Sequence, residues 1–289
     1  MTDVFLGIDF ANIEAHHGQC WLTDDGAVLR AAFADPRQEP VMTAVDCPFG
    51  TSTGFAGLLR GELPGDNGDD GFKTRFTERL MRQHVAAFTI NADWKAHDTK
   101  VRKALERVSF FNGGAHVQAT LGLVIVPAML DWLMRRLGGG SGAERLAGLA
   151  TARRSEGPVL EAHPRLFLYS MMERIRHRGG APIPVEDMAA IAGYKDKGAD
   201  GEQGRKTAYD LIASKAAGWL PVGVTRQIDV PDLTTMLTVD HAFDAWLAAL
   251  TAWAHHHRDT WTWQDAGLPH EAVDVEGHML ILRTTGKVS

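Results

Sequence analysis

Cysteine is nearly absent. The 289 residues hold only Cys20 and Cys47, and neither belongs to a C-x-x-C pair. That excludes a zinc ribbon, a thioredoxin-type motif and a disulfide-stapled miniprotein. Long apolar runs are missing too. The longest, Leu121 to Leu133, is interrupted by Pro127 and Asp131 and falls short of the ~20 residues a membrane span needs. Met1 to Gly7 lacks the basic start and apolar stretch of a signal peptide. Nor is there an excess of cation. The formal net charge is −6, which excludes a surface coated all over with Lys and Arg but not a local basic groove. These absences lead to the expectation of a soluble, cytoplasmic protein with free thiols and no membrane partner. What remains has globular proportions, with 45% hydrophobic residues, enough for one large core.

The first third reads as strands. Val4 to Phe10 is an apolar run with an acid near its end, as a buried central strand would be. Gln19 to Thr23 and Val28 to Ala34 flank Asp24-Asp25-Gly26, a hairpin signal because Asp-Gly tolerates positive φ. Val41 to Asp46 is a second apolar run ending in an acid, broken by Cys47-Pro48-Phe49-Gly50. Residues 51–157 read as a mainly helical insertion within a single domain spanning 1–289. Its helices are expected at Lys73 to Phe88, Thr99 to Val108 and Leu121 to Leu137. Pro158 to Pro164 reads as a short strand. Helices are expected at Leu166 to Arg178, Pro184 to Ile191, Gln203 to Ala217 and Asp240 to His255, and a closing strand at Met279 to Arg283. The Asp240 helix has the clearest pattern, with Phe243, Leu247, Leu250 and Trp253 forming one apolar stripe.

Acids mark the strand ends: Asp9, Asp46 and Glu161. In an open α/β sheet, ligands bind beyond the carboxyl ends of the strands. Asp240 and Asp244 are four residues apart, about 40° from each other on one helix face. Such carboxylates can bind a hard cation through oxygen, as Mg²⁺ requires. Alternatively, one can carry a raised pKa and act as acid or base. Each also has a structural reading. Asp240 can cap its helix, whereas Asp244 sits among Phe243, Ala245 and Trp246, where aspartate is a poor helix former.

Five segments, in order, resemble a known family. They are Leu6-Gly7-Ile8-Asp9, Asp46-Cys47-Pro48-Phe49-Gly50, Glu161-Ala162-His163-Pro164, Asp240-His241-Ala242-Phe243-Asp244-Ala245 with Ala248-Ala249, and Glu276-Gly277-His278-Met279-Leu280. They resemble the G-I-D, D-A-P-L-G, E-V-H-P, D-D-x-x-D-A-x-x-A-A and E-G-W-I motifs of domain of unknown function 429, called a predicted nuclease of ribonuclease H-like fold. The resemblance implies an α/β fold with a mixed five-stranded sheet flanked by helices. Strands one to three would form an antiparallel meander, with strands four and five parallel to the first. It also implies that Asp9, Asp46, Glu161, Asp240 and Asp244 are the metal-binding acids. His241 stands where the family has a second aspartate, and Arg165 where it often has glutamate.

The expected activity is metal-dependent hydrolysis of nucleic acid, with two Mg²⁺ or Mn²⁺ ions held by the five acids. His163 or His241 would assist proton transfer. Two rivals stand beside it: a binding protein of the same fold without turnover, and an actin-like ATP-dependent phosphotransferase, for which Gly138-Gly139-Gly140 is the only phosphate-loop candidate. His255-His256-His257 reads as a helix end and not a metal clasp. Clusters such as Arg153-Arg154, Arg174 with Arg176 and Arg178, and Arg205-Lys206 read as solvated helix faces or as cover for a phosphate backbone. Trp219, Trp261 and Trp263 are expected in packing before base stacking.

Overall fold

A computed structural model of the chain describes residues 2–10, 17–50, 75–88, 142–179 and 182–284, with isolated positions among 52–60, 90–92 and 128–132. The two apolar runs ending in acids are strands β1 (Asp3–Asp9) and β4 (Met42–Asp46), with β2 (Gly18–Asp24), β3 (Val28–Ala32), β5 (Val159–Glu161) and β6 (Gln227–Asp229). They form one open mixed sheet in the order β5-β4-β1-β2-β3-β6. β1, β2 and β3 make an antiparallel meander, and β4 and β5 run parallel to β1.

The sheet has six strands where five were expected. β6 pairs in parallel with β3 through only three residues, and its single buried side chain, Ile228, leaves too short a pattern to read. The expected closing strand at 279–283 is not a ladder. Met279 bridges Glu161 and Leu282 bridges Thr260, because the segment divides its backbone bonds. The Leu280 amide donates to the Glu161 carbonyl, while the Trp261 amide donates to the Ile281 carbonyl.

The helices are α1 (Phe76–Ala86), α2 (Gly142–Arg153), α3 (Pro164–His177), α4 (Val185–Ala192), α5 (Ala199–Ser214), α6 (Ala216–Trp219), α7 (Leu233–Thr238), α8 (Asp240–His256) and α9 (His270–Glu276). The helices expected at 99–108 and 121–137, like Gly138 to Gly140, lie outside the described residues. α8 is buried on every side from Ala242 to Ala254. It packs across β1, β2 and β4 with α3 and α7 against it.

The two sheet faces carry separate cores. Phe5, Ala44 and Leu160 join the large core under α8. Val4, Leu6, Ile8, Val45 and Val159 join a smaller one on the opposite face with Phe49 and Trp132. Side chains alternate along a strand, so this division decides which acids can meet. No helix among the described residues is long and apolar enough to cross a membrane.

Candidate metal centre

Asp9 shares the face of Phe5 and Gly7, and Asp46 that of Ala44. Both therefore point to the side covered by α8. Asp9 and Asp46 are register partners across the β1–β4 ladder. The third member arrives on α8, which lies unusually close to the sheet. A Cβ built at Gly7 would sit 1.9 Å from the Ala245 carbonyl oxygen, and one at Gly18 would sit 2.1 Å from that of His241. Only glycine permits this approach. It brings Asp244, 1% exposed, to the strand ends. One carboxylate oxygen from each of Asp9, Asp46 and Asp244 lies within 4.8 Å of the others.

The cluster is electrostatically strained. Burial, then the Asp244 charge, pushes the Asp9 pKa up to about 6 against the opposing pull of His241 and Lys195. Burial also raises Asp46, with Asp9, Asp244 and Glu161 adding to the effect and Lys195 opposing it. Two basic groups answer the acids. His241 Nδ1 lies 2.5 Å from Asp9 Oδ2, and this hydrogen bond is the main reason the His241 pKa is raised. Lys195 Nζ lies 2.6 Å from Asp244 Oδ2. Burial works against the Lys195 charge, but Tyr194, Asp244 and Asp46 outweigh it and raise its pKa well above the ordinary value. The other Asp244 oxygen, Oδ1, is buried and has no hydrogen-bond partner among the described residues.

Two of the five acids stand elsewhere. Glu161 pairs in register with Val45, one step short of Asp46. Alternation therefore sends its side chain to the opposite face, with Val45. There the Arg75 guanidinium donates to both of its oxygens, at 2.6 and 3.1 Å, and the Phe49 amide donates to Oε2 at 2.9 Å. Both side chains of this ion pair are 1% exposed. Asp240 begins α8 one turn before Asp244 and accepts the His241 amide at 3.0 Å. It is not among the three converging acids. His163 precedes α3, half-buried. Burial, then the charges of Lys195, Arg165 and Arg75, holds its pKa well below the ordinary value.

Lys195 is the site residue that pattern reading missed. It lies in the turn between α4 and α5. There Arg205, 4% exposed, donates to the Tyr194 carbonyl at 2.7 Å and the Leu237 carbonyl at 2.6 Å. A lysine in a glycine-punctuated turn carries no motif of its own. Tyr194 packs between elements too, its ring tilted against Phe243 at 5.5 Å and 5.8 Å from the Lys195 ammonium.

A cavity of about 580 Å³ opens beside His241, lined by His17, Gln19, Trp21, Phe33 and Asp35 among others. Of the expected basic clusters, one arginine in each described one turns inward, while Arg178 and Lys206 are exposed as expected and Lys100 to Lys103 and Arg135-Arg136 lie outside the described residues. Arg174 pairs with Asp259 in the core. Arg205 holds the turn just described, and Arg153 donates to the Phe49 and Asp274 carbonyls at 2.8 Å. Trp219 and Trp261 are core residues. The three consecutive histidines diverge: His255 engages Thr260 and the Ser155 carbonyl, while His256 faces Asp3 and His257 faces Asp24.

No curated protein and no solved structure matches the chain. Residues 7–266 match the family model described as "Protein of unknown function (DUF429)", a span running from the Gly7 contact beyond α8, and the chain belongs to that family.

Proposed function

We propose that the protein is a metal-dependent phosphodiesterase of ribonuclease H-like fold acting on nucleic acid. The observation that carries this reading is the convergence of Asp9, Asp46 and Asp244 within 4.8 Å, with Asp244 Oδ1 buried and unpartnered. An all-oxygen donor set suits a hard cation such as Mg²⁺ or Mn²⁺, and the orphaned oxygen fits the same purpose. Asp9, Asp46 and Asp244 would hold the cation. When bound, it supplies Lewis-acid activation of a phosphoryl group and of water. The meander of β1 to β3 with β4 and β5 parallel to β1 supports the fold part of the reading.

His241 handles the proton. Asp9 engages Nδ1 and fixes the ring, leaving Nε2 to accept or deliver a proton. The ring is about half exposed, at 50%, so that nitrogen communicates with solvent and with the neighbouring cavity. Trp21 and Phe33 give the cavity aromatic walls, and Gln19 and Asp35 add hydrogen-bonding groups. That chemistry suits a nucleobase next to the cleaved linkage.

The test is hydrolysis of single- and double-stranded DNA and RNA, and of a simple aryl phosphodiester, in Mn²⁺, Mg²⁺ and chelator. Cleavage that needs the cation and falls at least ~100-fold in Asp46→Asn supports the proposal. Mn²⁺ binding without cleavage of any substrate points instead to the binding protein without turnover, which Lys195 seated on Asp244 favours. An absence of both binding and cleavage overturns the metal reading.

A further inference from the structure

We propose that the centre takes one divalent cation, not two, and keeps the Lys195 ammonium beside Asp244 as its second positive charge. This rests on the metal reading above and fixes its stoichiometry. The donor supply is the first argument. Glu161 is turned to the other sheet face and held by Arg75, and Asp240 is outside the cluster. Of the remaining oxygens, Asp9 Oδ2 is engaged by His241 and Asp244 Oδ2 by Lys195. That leaves four carboxylate oxygens, Asp9 Oδ1, both of Asp46 and Asp244 Oδ1, a small set for two ions that share a bridging carboxylate even with water completing each coordination shell.

Charge is the second argument. Three ionised carboxylates with one ammonium carry a net charge of minus two, or minus one when His241 is protonated. One divalent cation offsets it, and a second would leave an excess of at least plus two in a largely buried site. Such an excess is costly where charges are poorly solvated.

Lys195 is also built in, and is no wandering side chain filling a gap. Its turn is pinned by Arg205 through the Tyr194 carbonyl, and its ammonium lies over the Tyr194 ring. Its side chain is 38% exposed while Asp244 is 2% exposed. The ammonium thus touches the cluster while part of its side chain reaches solvent, which puts it at the edge of the site where the oxygens of a phosphodiester would arrive. There it stabilises negative charge developing on the phosphate, the task a second ion performs in two-ion sites.

The experiment is titration of the full chain with Mn²⁺ alone. Free Mn²⁺ is read by electron paramagnetic resonance and heat by calorimetry, for wild type, Lys195→Gln and Lys195→Arg. One Mn²⁺ per wild-type chain is expected. Lys195→Gln should bind its first ion at least ~10-fold more tightly, because a neighbouring positive charge that repels the cation is gone, yet cleave at least ~100-fold more slowly. Lys195→Arg should recover part of the rate. Two Mn²⁺ per wild-type chain overturns this inference and leaves the metal reading intact. It would mean that Lys195 only fills the place of an ion. No bound Mn²⁺ in wild type overturns both. The wild-type count alone decides between one ion and two, so a Lys195→Gln chain that fails to fold does not protect the proposal.

Discussion

Asp9 and Asp46 face each other across the parallel β1–β4 ladder as register partners, both on the side covered by α8. Neighbouring strands are ~4.8 Å apart, so two carboxylates at matching positions on one face cannot avoid each other. Asp244 then descends on them from the helix. A protein with no use for a cation would gain by replacing any one of the three, since like charges at this distance raise one another's pKa.

The close approach of α8 explains the glycine of the first strand and gives the first prediction. Gly7→Ala places a methyl group 1.9 Å from the Ala245 carbonyl, so helix and strand must separate. The expected loss is about 3 kcal/mol, the upper end for overpacking, measured by urea unfolding. Gly148→Ala is the control. It lies within α2 with nothing within 4 Å of the added Cβ, and should gain about 0.5–1 kcal/mol from helix propensity alone. Equal effects at the two positions would mean that α8 does not rest on Gly7.

Neutralising one acid should not harm the fold in the absence of metal. Asp9→Asn removes a charge that Asp244 opposes, so in chelator the variant is expected to melt at the wild-type temperature or higher. A structural aspartate would instead lose about 1–3 kcal/mol with its hydrogen bonds. Addition of Mn²⁺ should then raise the melting temperature of wild type only, since a ligand bound to the native state alone stabilises it. A destabilised variant, with both proteins indifferent to Mn²⁺, would make Asp9 a structural residue.

The strands and α8 were legible in the sequence because their patterns are local. Val4 to Ile8 is an uninterrupted apolar run, and the α8 stripe repeats at helical spacing. The membership of the acidic cluster was only partly legible. Asp9 and Asp46 each end a run, but so does Glu161. Nothing in the local pattern says that Glu161 pairs with Val45 and faces the other way. Register is a property of two strands. Lys195 was hidden for a similar reason: its place comes from the packing of α4, α5 and α7 through Arg205. The inward turn of Arg153 and Arg174 likewise depends on partners more than 80 positions away.

Acid should weaken the fold through His278. Burial holds this side chain, 0% exposed, neutral and lowers its pKa from 6.5 to about 4. The unfolded chain therefore takes up a proton near pH 6.5 while the native chain does not. The stability contribution is present above pH 6.5 and is lost as the pH falls toward 4. At 1.36 kcal/mol per pH unit, the loss is about 3 kcal/mol. His278→Gln keeps a donor for the Trp261 carbonyl, which His278 Nε2 meets at 3.3 Å, and removes the titration. Comparing urea unfolding of the two proteins at pH 7.5 and pH 4.5 cancels the other histidines. Parallel losses in both would show that His278 is not the group responsible.

Glu161 separates the structural acid from the site acids. Its carboxylate is buried against Arg75 and the Phe49 amide, and Arg75 also donates to the Glu276 carbonyl at 2.6 Å. This ties β5, the turn after β4, the start of α1 and the end of α9. Glu161→Gln removes the carboxylate charge from a buried ion pair with Arg75, and breaking a buried pair from one side costs about 3–5 kcal/mol. The loss should appear in urea unfolding and in chelator as much as in Mn²⁺. The folded fraction should still bind Mn²⁺ with the wild-type stoichiometry, because the side chain lies on the sheet face away from Asp46. Asp46→Asn should show the reverse: little change in stability and loss of Mn²⁺ binding. If Glu161→Gln instead folds normally and loses the ion, Glu161 is a ligand, and the three-acid centre gives way to the larger one that the motifs implied.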